Sequence, residues 1–119
     1  MYRKILVATD GSTLSKKAVR SAIELASSMG AELVALYVAA RYPTSYFEGG
    51  VAMRMEEIER VEQQWADKGQ AIVDAVQKAA EAESVKAKGI VSRSDLVAEA
   101  IMAAARKHKC DLVVMASHG

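Results

Sequence analysis

Short apolar runs alternate with long amphipathic segments along this chain. Four runs predict strands, at residues 5–8, 33–38, 85–91 and 111–115, and the first of them is predicted to be buried on both faces. Helical spacing of the apolar positions between them predicts helices over about 13–29, over about 53–82, and after Ser94. Strands that alternate with helices in this way predict an α/β fold with a parallel sheet and right-handed crossovers.

The helices carry further sequence signals. Ser12 or Thr13 is the expected N-cap of the first helix, Gly30 its expected stop, and Ser94 the expected cap of the last helix. The predicted core stripes are Leu14, Ala18, Ala22, Leu25, Ala26 and Met29 on the first helix, and Met55, Ile58, Trp65, Gly69, Ile72, Val76 and Ala79 on the long one. Residues 39–53 are predicted to be a long connection, with a lid or interaction surface as the alternative to a plain solvent-facing loop.

The loops after the first and fourth strands mark the candidate ligand site. In a doubly wound sheet of order 3-2-1-4, strand order reverses between strands 1 and 4, and ligands bind outside the carboxyl ends there. The loops at that point, Thr9–Ser12 and Ala116–Gly119, are small, polar and glycine-bearing, which suits a phosphate group. Such a sheet normally continues with another helix and strand. We therefore expect a fifth strand after Gly119 and interpret residues 1–119 as a single domain, incomplete at its C-terminus.

Composition and charge narrow the classes of function. The 119 residues predict one domain, and the formal net charge of +1 gives no field that would attract nucleic acid. No apolar run is long enough for a signal peptide or a bilayer span, so we expect a cytoplasmic protein without a membrane partner. Cys110, the single cysteine, precedes an apolar run and is predicted to be an inert buried thiol. No metal site is predicted.

Both ends of the chain resemble the universal stress protein family. Residues 4–12 (KILVATDGS), with Ala18 after them, look like the family's opening, and residues 110–119 (CDLVVMASHG) are similar to the segment that carries its nucleotide signature. The resemblance spans the whole chain and is weakest over residues 39–53. It implies a Rossmann-like domain of the adenine nucleotide alpha hydrolase-like type, which binds ATP, with Mg²⁺ held through the phosphates. It also implies a homodimer, with a fifth strand pairing across the two-fold axis, that regulates the stress response and is not a metabolic enzyme.

The resemblance implies individual contacts as well. Asp10 and the backbone around Ala8 and Thr9 are expected on the adenine and ribose side, and Val38 is expected to contact adenine. The remaining predicted site residues, which should lead into the phosphate loop, are Met115, Ala116, Ser117, His118 and Gly119. ATP-binding members carry the signature G-x2-G-x9-G-[ST]. In this chain Ala116 stands at the first glycine position and Gly119 at the second.

Alternatives remain at several of these positions. The Cβ atom of Ala116 restricts conformations that glycine allows, so a protein-interaction module of the same fold that binds no nucleotide is the second interpretation. Asp10 is either a ligand contact or a turn residue bonded to its own backbone. His118 either lies near the phosphates or is an exposed loop residue. A P-loop ATPase is disfavoured because GxxxxGK[ST] is absent, and a receiver domain because no aspartate directly follows the third strand.

Overall fold

A computed structural model describes residues 2–41 and 55–116, in which four strands and three helices alternate. The strands are β1 (Lys4–Ala8), β2 (Glu32–Ala39), β3 (Ala87–Arg93) and β4 (Leu112–Met115), and the helices are α1 (Thr13–Met29), α2 (Met55–Glu81) and α3 (Val97–Lys107). All strand pairs are parallel, in the order β3-β2-β1-β4, which confirms the predicted 3-2-1-4 sheet. The predicted lid or interaction surface falls largely on residues 42–54, which lie outside the described residues.

Strand β1 runs through the middle of the sheet. Its residue Leu6 lies opposite Val34 of β2 on one side and Val113 of β4 on the other. The consecutive residues Ile5, Leu6 and Val7 are each fully buried. A strand with helices over both sheet faces buries both sets of alternating side chains, which explains its unbroken apolar sequence.

The two faces of the sheet are covered by different helices. Helices α1 and α2 pack on the face that carries Ile5, Val7 and Leu33. Helix α3 packs on the opposite face, against Leu6 and Leu36. The carboxyl ends of β1 and β4 are left open between these layers, at the point where strand order reverses.

The ends of α1 agree with the sequence signals. The side chain of Ser12, the N-cap residue, accepts a hydrogen bond from the amide of Ser15. At the other end Gly30 is in the left-handed conformation, and its amide donates to the carbonyl of Ala26. These bonds fix the length of α1 and hold its first turn directly after the loop that leaves β1.

The buried stripes of the two longer helices are rotated from the predicted ones. Helix α1 buries Ser15, Val19, Ala22, Ile23 and Ala26, and α2 buries Ile58, Ala66, Gly69, Val73, Val76 and Ala80. Leu14, Met55 and Ala79, predicted to face the core, are exposed. In helices this rich in alanine several stripes have similar apolar content. Here the rotation buries the larger Val19, Ile23 and Val73, which remove more apolar area from water than alanine does.

The predicted cap of the last helix is wrong. Helix α3 starts at Val97 with Leu96 at the N-cap position, and Leu96 makes no side-chain capping bond. Ser94 accepts a hydrogen bond from the amide of Leu96, at 3.0 Å, in a turn that precedes the helix. Its hydroxyl therefore stabilises the turn two residues ahead of it, a local bond that competes with helix capping.

Candidate functional site

A cavity of about 250 Å³ opens at the carboxyl ends of β1, β2 and β4. We call it the strand-end cavity. Apolar side chains from the sheet and from α3 form most of its wall, and the loop after β1 supplies polar groups. Its lining residues are Ala8, Thr9, Asp10, Ser15, Leu36, Val38, Val97, Ile101, Met115 and Ala116.

Most of the predicted site residues meet in this cavity. Those brought together are Ala8, Thr9, Asp10, Val38, Met115 and Ala116. They come from β1, β2 and β4 and the segments that follow β1 and β4, which are far apart in sequence and adjacent in the sheet. The predicted residues Ser117, His118 and Gly119 lie outside the described residues. That any of these residues contacts a ligand stays a prediction.

Thr9 anchors the loop that leaves β1. It is only 7% exposed, and its amide donates to the carbonyl of Leu36. Its hydroxyl lies 3.0 Å from the hydroxyl of Ser15 and accepts from the amide of Gly11 at 3.2 Å. The start of the loop is therefore fixed both to β2 and to the first turn of α1.

Asp10 follows Thr9 and is exposed at the mouth of the cavity. One carboxylate oxygen, Oδ1, accepts from the amide of Ser12 at 2.9 Å. This is the bond to its own backbone expected of a turn residue, and the side chain lines the cavity as well. The two interpretations of Asp10 are therefore compatible, since the turn contact fixes the carboxylate at the cavity mouth.

Gly11 brings the same loop into contact with α2. Its φ of +81° lies in the left-handed region, where side chains are disfavoured. A Cβ atom at this position would lie 2.8 Å from Cδ1 of Ile72. The loop between β1 and α1 thus packs directly on a side chain of α2, on the sheet face opposite α3.

The start of α1 favours a negative charge near this loop. Its first turn contains no acidic residue, and Lys16 is exposed there. The N-terminal end of a helix carries a partial positive charge from its aligned peptide dipoles. An anionic group close to the start of α1 would therefore be stabilised by the helix.

Sequence reasoning missed four residues of the wall. Leu36 and Val38 lie two apart on one face of β2, so the parity of the strand would have placed Leu36 beside the predicted Val38. Ser15, three residues after the N-cap, is buried and bonded to Thr9. Val97 and Ile101 of α3 had no sequence signal that separates a cavity wall from ordinary core.

Outside the cavity, the described part of the chain offers few side chains suited to metal binding or nucleophilic reactions. Among residues 2–41 and 55–116 no group of three His, Cys, Asp or Glu side chains is arranged to hold a metal ion. Burial raises the pKa of the half-buried Cys110 thiol, which keeps it protonated and fits the predicted inert role. Within the same residues, no helix is both long enough and apolar enough to cross a membrane.

Comparison with known proteins identifies the family of this chain. The profile of the universal stress protein family matches residues 1–119. The chain belongs to the universal stress protein family. A universal stress protein of Methanocaldococcus jannaschii is 34% identical over 119 residues, which are 100% of this chain and 66% of that protein. A universal stress protein of Bacillus subtilis is 31% identical over 121 residues, covering 100% of this chain and 81% of the relative. The chain thus spans just under two thirds of the archaeal relative.

Solved structures of the universal stress protein family share its fold. A family member from Burkholderia pseudomallei is 29% identical with a TM-score of 0.83, over 98% of this chain and 83% of that one. A member from Arabidopsis thaliana with AMP bound is 16% identical with a TM-score of 0.70, over 98% and 78%. A universal stress protein in complex with cAMP is 21% identical with a TM-score of 0.64, over 95% and 75%. The last two share so little sequence with this chain that their similarity shows a common fold alone.

Proposed function

We propose that this universal stress protein binds an adenine nucleotide, with ATP as the leading candidate, in the strand-end cavity, and that it acts as a regulatory binding module. The observation that carries the proposal is the convergence of Ala8, Thr9, Asp10, Val38, Met115 and Ala116 on one cavity where strand order reverses. Family members with AMP and with cAMP bound support an adenine nucleotide.

The walls of the cavity suit a base and a sugar. Ala8 and Val38 offer an apolar surface on which a flat purine packs, and Asp10 offers a carboxylate acceptor for a ribose hydroxyl or a base amine. The volume of about 250 Å³ lies just below the ~300–1,000 Å³ typical of small-molecule sites. It therefore accommodates part of a nucleotide, and we place the base and ribose inside it.

The phosphates would then extend beyond the cavity mouth. The start of α1 favours an anion there, and the family resemblance assigns Ser117 to Gly119 to the phosphate loop. The described residues hold no cluster of three acidic or histidine ligands, so we propose that Mg²⁺ binds through the phosphates.

Ala116 supports a second candidate, a protein-interaction module of the same fold without a nucleotide. It lines the cavity at the position where the family signature has a glycine, and its Cβ atom restricts backbone conformations that glycine allows. The variant Ala116→Gly separates the two functions, because it restores the first glycine of the signature and changes nothing else.

Calorimetry with ATP and magnesium, followed by AMP, cAMP and GTP, tests the proposal. We expect ATP to bind the unmodified protein, GTP to bind more weakly, and Ala116→Gly to bind ATP at least as tightly. Analysis of nucleotide released from denatured purified protein is an independent measurement. If neither protein gives binding heat or carries nucleotide, the interaction module is the better description. Binding by Ala116→Gly alone would assign the loss of nucleotide to that alanine.

A further inference from the structure

A larger cavity lies on the other side of the loop between β1 and α1. It has a volume of about 740 Å³ and runs between α1 and α2, on the sheet face opposite α3. We call it the α1–α2 groove. Its volume falls within the ~300–1,000 Å³ range in which proteins hold small organic ligands. Its lining residues are Thr9, Asp10, Gly11, Ser12, Lys16, Val19, Lys68, Ala71, Ile72, Ala75, Val76 and Ala79.

The groove is cationic at one end and apolar along its length. Lys16 stands in the first turn of α1, next to the loop, and Lys68 lies one turn before Ile72, which the same loop contacts through Gly11. Val19, Ile72 and Val76 form an apolar floor below them. Asp10 is the one acidic residue of the lining, and its Oδ1 accepts from the amide of Ser12. The lysines therefore give the loop end a net positive charge.

Beyond the opposite end of the groove, an ion pair joins the two helical segments. Arg20 of α1 contacts Glu83, which follows α2, with Nη1 and Oε2 2.6 Å apart and Nη2 and Oε1 2.9 Å apart. Ala79, the last lining residue of α2, lies one turn before Glu83. From Ala71 to Ala79 the helix rises about 12 Å at ~1.5 Å per residue, which sets the length of the apolar stretch.

We propose that the α1–α2 groove binds an anionic amphiphile, a medium-chain alkyl carboxylate, with the carboxylate at Lys16 and Lys68 and the alkyl chain along the floor towards Ala79. Charge complementarity selects an anionic head group, and the apolar floor selects an unbranched chain. Alanines at positions 71, 75 and 79 leave the space beside α2 that such a chain needs. A cationic or uncharged amphiphile of the same length leaves the two ammonium groups without a partner and binds more weakly.

The groove shares the residues Thr9 and Asp10 with the strand-end cavity. Ile72 lies in the groove and packs on Gly11, so a ligand that moves Ile72 changes the packing of the loop that borders both sites. A ligand in the groove then alters nucleotide affinity, and a nucleotide alters the affinity of the groove by the same factor. This coupling rests on the proposed function, whereas binding in the groove does not.

Titration of the purified protein with sodium decanoate, below the concentration at which decanoate forms micelles and without nucleotide, tests the groove directly. Trp65 is the only tryptophan of the chain and lies one turn before Lys68 on α2, so its fluorescence reports on the groove, with calorimetry as a second readout. We expect saturable binding, with decan-1-ol and decyltrimethylammonium weaker by about tenfold or more, the worth of a charge-assisted hydrogen bond.

Two pairs of variants localise the binding. Lys68→Glu should weaken decanoate binding by about tenfold, whereas Lys17→Glu, an exposed lysine of α1 outside the lining, should not. Ala75→Leu should fill the groove and abolish saturable binding, whereas Ala98→Leu on α3 should not. Thermal melting checks that each variant is folded, and Ala71→Leu replaces Ala75→Leu if the latter is not.

Several results would overturn the proposal. Absence of saturable decanoate binding to the folded protein would do so, whatever the result for ATP. Equal binding of the cationic amphiphile would contradict the assignment of an anionic head group to the lysines. Equal effects of the lining variants and their controls would contradict the assigned position of the ligand in the groove. If Ala75→Leu instead changes the oligomeric mass seen by light scattering, a second copy of the chain occupies the groove.

Discussion

The loop between β1 and α1 is held by hydrogen bonds among its own residues. Thr9 contacts Ser15 and Gly11, Asp10 accepts from Ser12, and Ser12 in turn caps α1. Each of these side chains is satisfied locally, so the loop has a defined shape without a ligand. A binding site that is formed in advance loses less conformational entropy when the ligand arrives, which favours the proposed nucleotide site.

Replacement of Asp10 tests whether its carboxylate acts beyond the turn. Asp10→Ala removes the acceptor for the amide of Ser12 and the charge at the cavity mouth, whereas Asp10→Asn keeps an oxygen acceptor and loses the charge. We expect Asp10→Ala to weaken ATP binding by about fivefold, from the loss of on the order of 1 kcal/mol in hydrogen bonding. The fold should stay largely intact because Asp10 is exposed.

The ATP affinities of the two variants show whether the carboxylate of Asp10 contacts the nucleotide. Calorimetry should show Asp10→Asn with a weakened affinity close to that of Asp10→Ala if the carboxylate contacts the nucleotide. Unchanged ATP affinity and unchanged melting temperature in Asp10→Ala would mean that Asp10 is only a turn residue.

Asp111 links the starts of β1 and β4 through a different set of bonds. Its carboxylate accepts from the amides of Arg3 and Lys4, at 2.9 and 3.1 Å, and these bonds to Arg3 and Lys4 lower the pKa of Asp111 below its ordinary value of 3.8. A carboxyl group whose folded-state pKa is depressed stabilises the fold above its unfolded pKa, and that contribution is lost as pH falls through the folded pKa.

Asp111→Asn should therefore lower the melting temperature near neutral pH, and the difference from the unmodified protein should shrink as pH falls below 3.8. Calorimetric melting from about pH 7 to about pH 3 measures this difference. Asp67→Asn is a suitable control, because that carboxylate accepts from Gln63 of the same helix and joins no strands. A melting difference for Asp111→Asn that does not change with pH would contradict the expectation.

At the scale of elements, the sequence predicted the strands and the order of the sheet more reliably than the helix faces. Strands β1 and β2 were recognisable because consecutive apolar residues are needed where both sheet faces are covered. The faces of α1 and α2 were ambiguous because apolar residues lie on more than one stripe of each helix, and only packing decided that Val19 and Val73 turn inward while Leu14 stays exposed. The prediction that Ser94 caps the last helix was wrong because its hydroxyl accepts a hydrogen bond from a competing local partner, the amide of Leu96.

The strand-end cavity was predictable for a topological reason. Asp10 and Ala116 follow neighbouring parallel strands, so the sheet order alone brings them together. The α1–α2 groove was not predictable, because it depends on how far two helices stand apart on one face. Spacing along the sequence does not report that distance, and the lysines of the groove looked like ordinary exposed residues of a helix.

The packing of α2 on β2 depends on Gly69. A Cβ atom at this position would lie 2.8 Å from ring atoms of Tyr37, a part of the side chain that cannot move aside freely. At an exposed helix site Gly→Ala is stabilising by about 1 kcal/mol. We expect Gly69→Ala to be destabilising instead, by about 1–3 kcal/mol, because the added methyl group overpacks the interface.

Denaturant unfolding of four proteins tests this expectation. These are the unmodified chain, Gly69→Ala, Tyr37→Leu, and the double variant. Tyr37→Leu removes the ring that the methyl group would meet, so the double variant should recover part of the stability lost in Gly69→Ala. Additive effects of the two substitutions would show that the ring and the methyl group do not compete for the same space.

At the scale of the whole molecule, the sheet separates two cavities that share one loop. The strand-end cavity lies beside α3, and the α1–α2 groove lies on the opposite face, with Thr9 and Asp10 in the wall of both. A regulatory protein needs a ligand site that communicates with another surface. In the proposed regulatory role, the contact of Gly11 with Ile72 is the contact through which the two proposed sites would be coupled.

Strand β4 is the reason to expect self-association. In the described part of the chain β4 pairs with β1 on one side, and the fifth strand expected after Gly119 would lie on its other side. Its sequence, Leu112 to Met115, is apolar throughout. An apolar strand without charge or proline pairs readily with a further strand. The family resemblance implies that the fifth strand pairs across a two-fold axis, so residues after Gly119 should contribute much of the interface, and a two-fold symmetric dimer is the commonest oligomer.

We predict that the purified protein is a dimer at micromolar concentration and that Met115→Lys shifts it towards the monomer. Met115, 55% exposed, lies at the end of β4, and a charge placed on an edge strand opposes pairing between chains. Met102→Lys is the matched control, because Met102 is 53% exposed but lies on α3. Light scattering gives the molar mass of all three proteins. A monomeric mass for the unmodified protein would refute the dimer. If both lysine variants have the mass of a dimer, the end of β4 is not part of the interface. A buried ammonium group without a partner would cost too much free energy to be tolerated in an interface there.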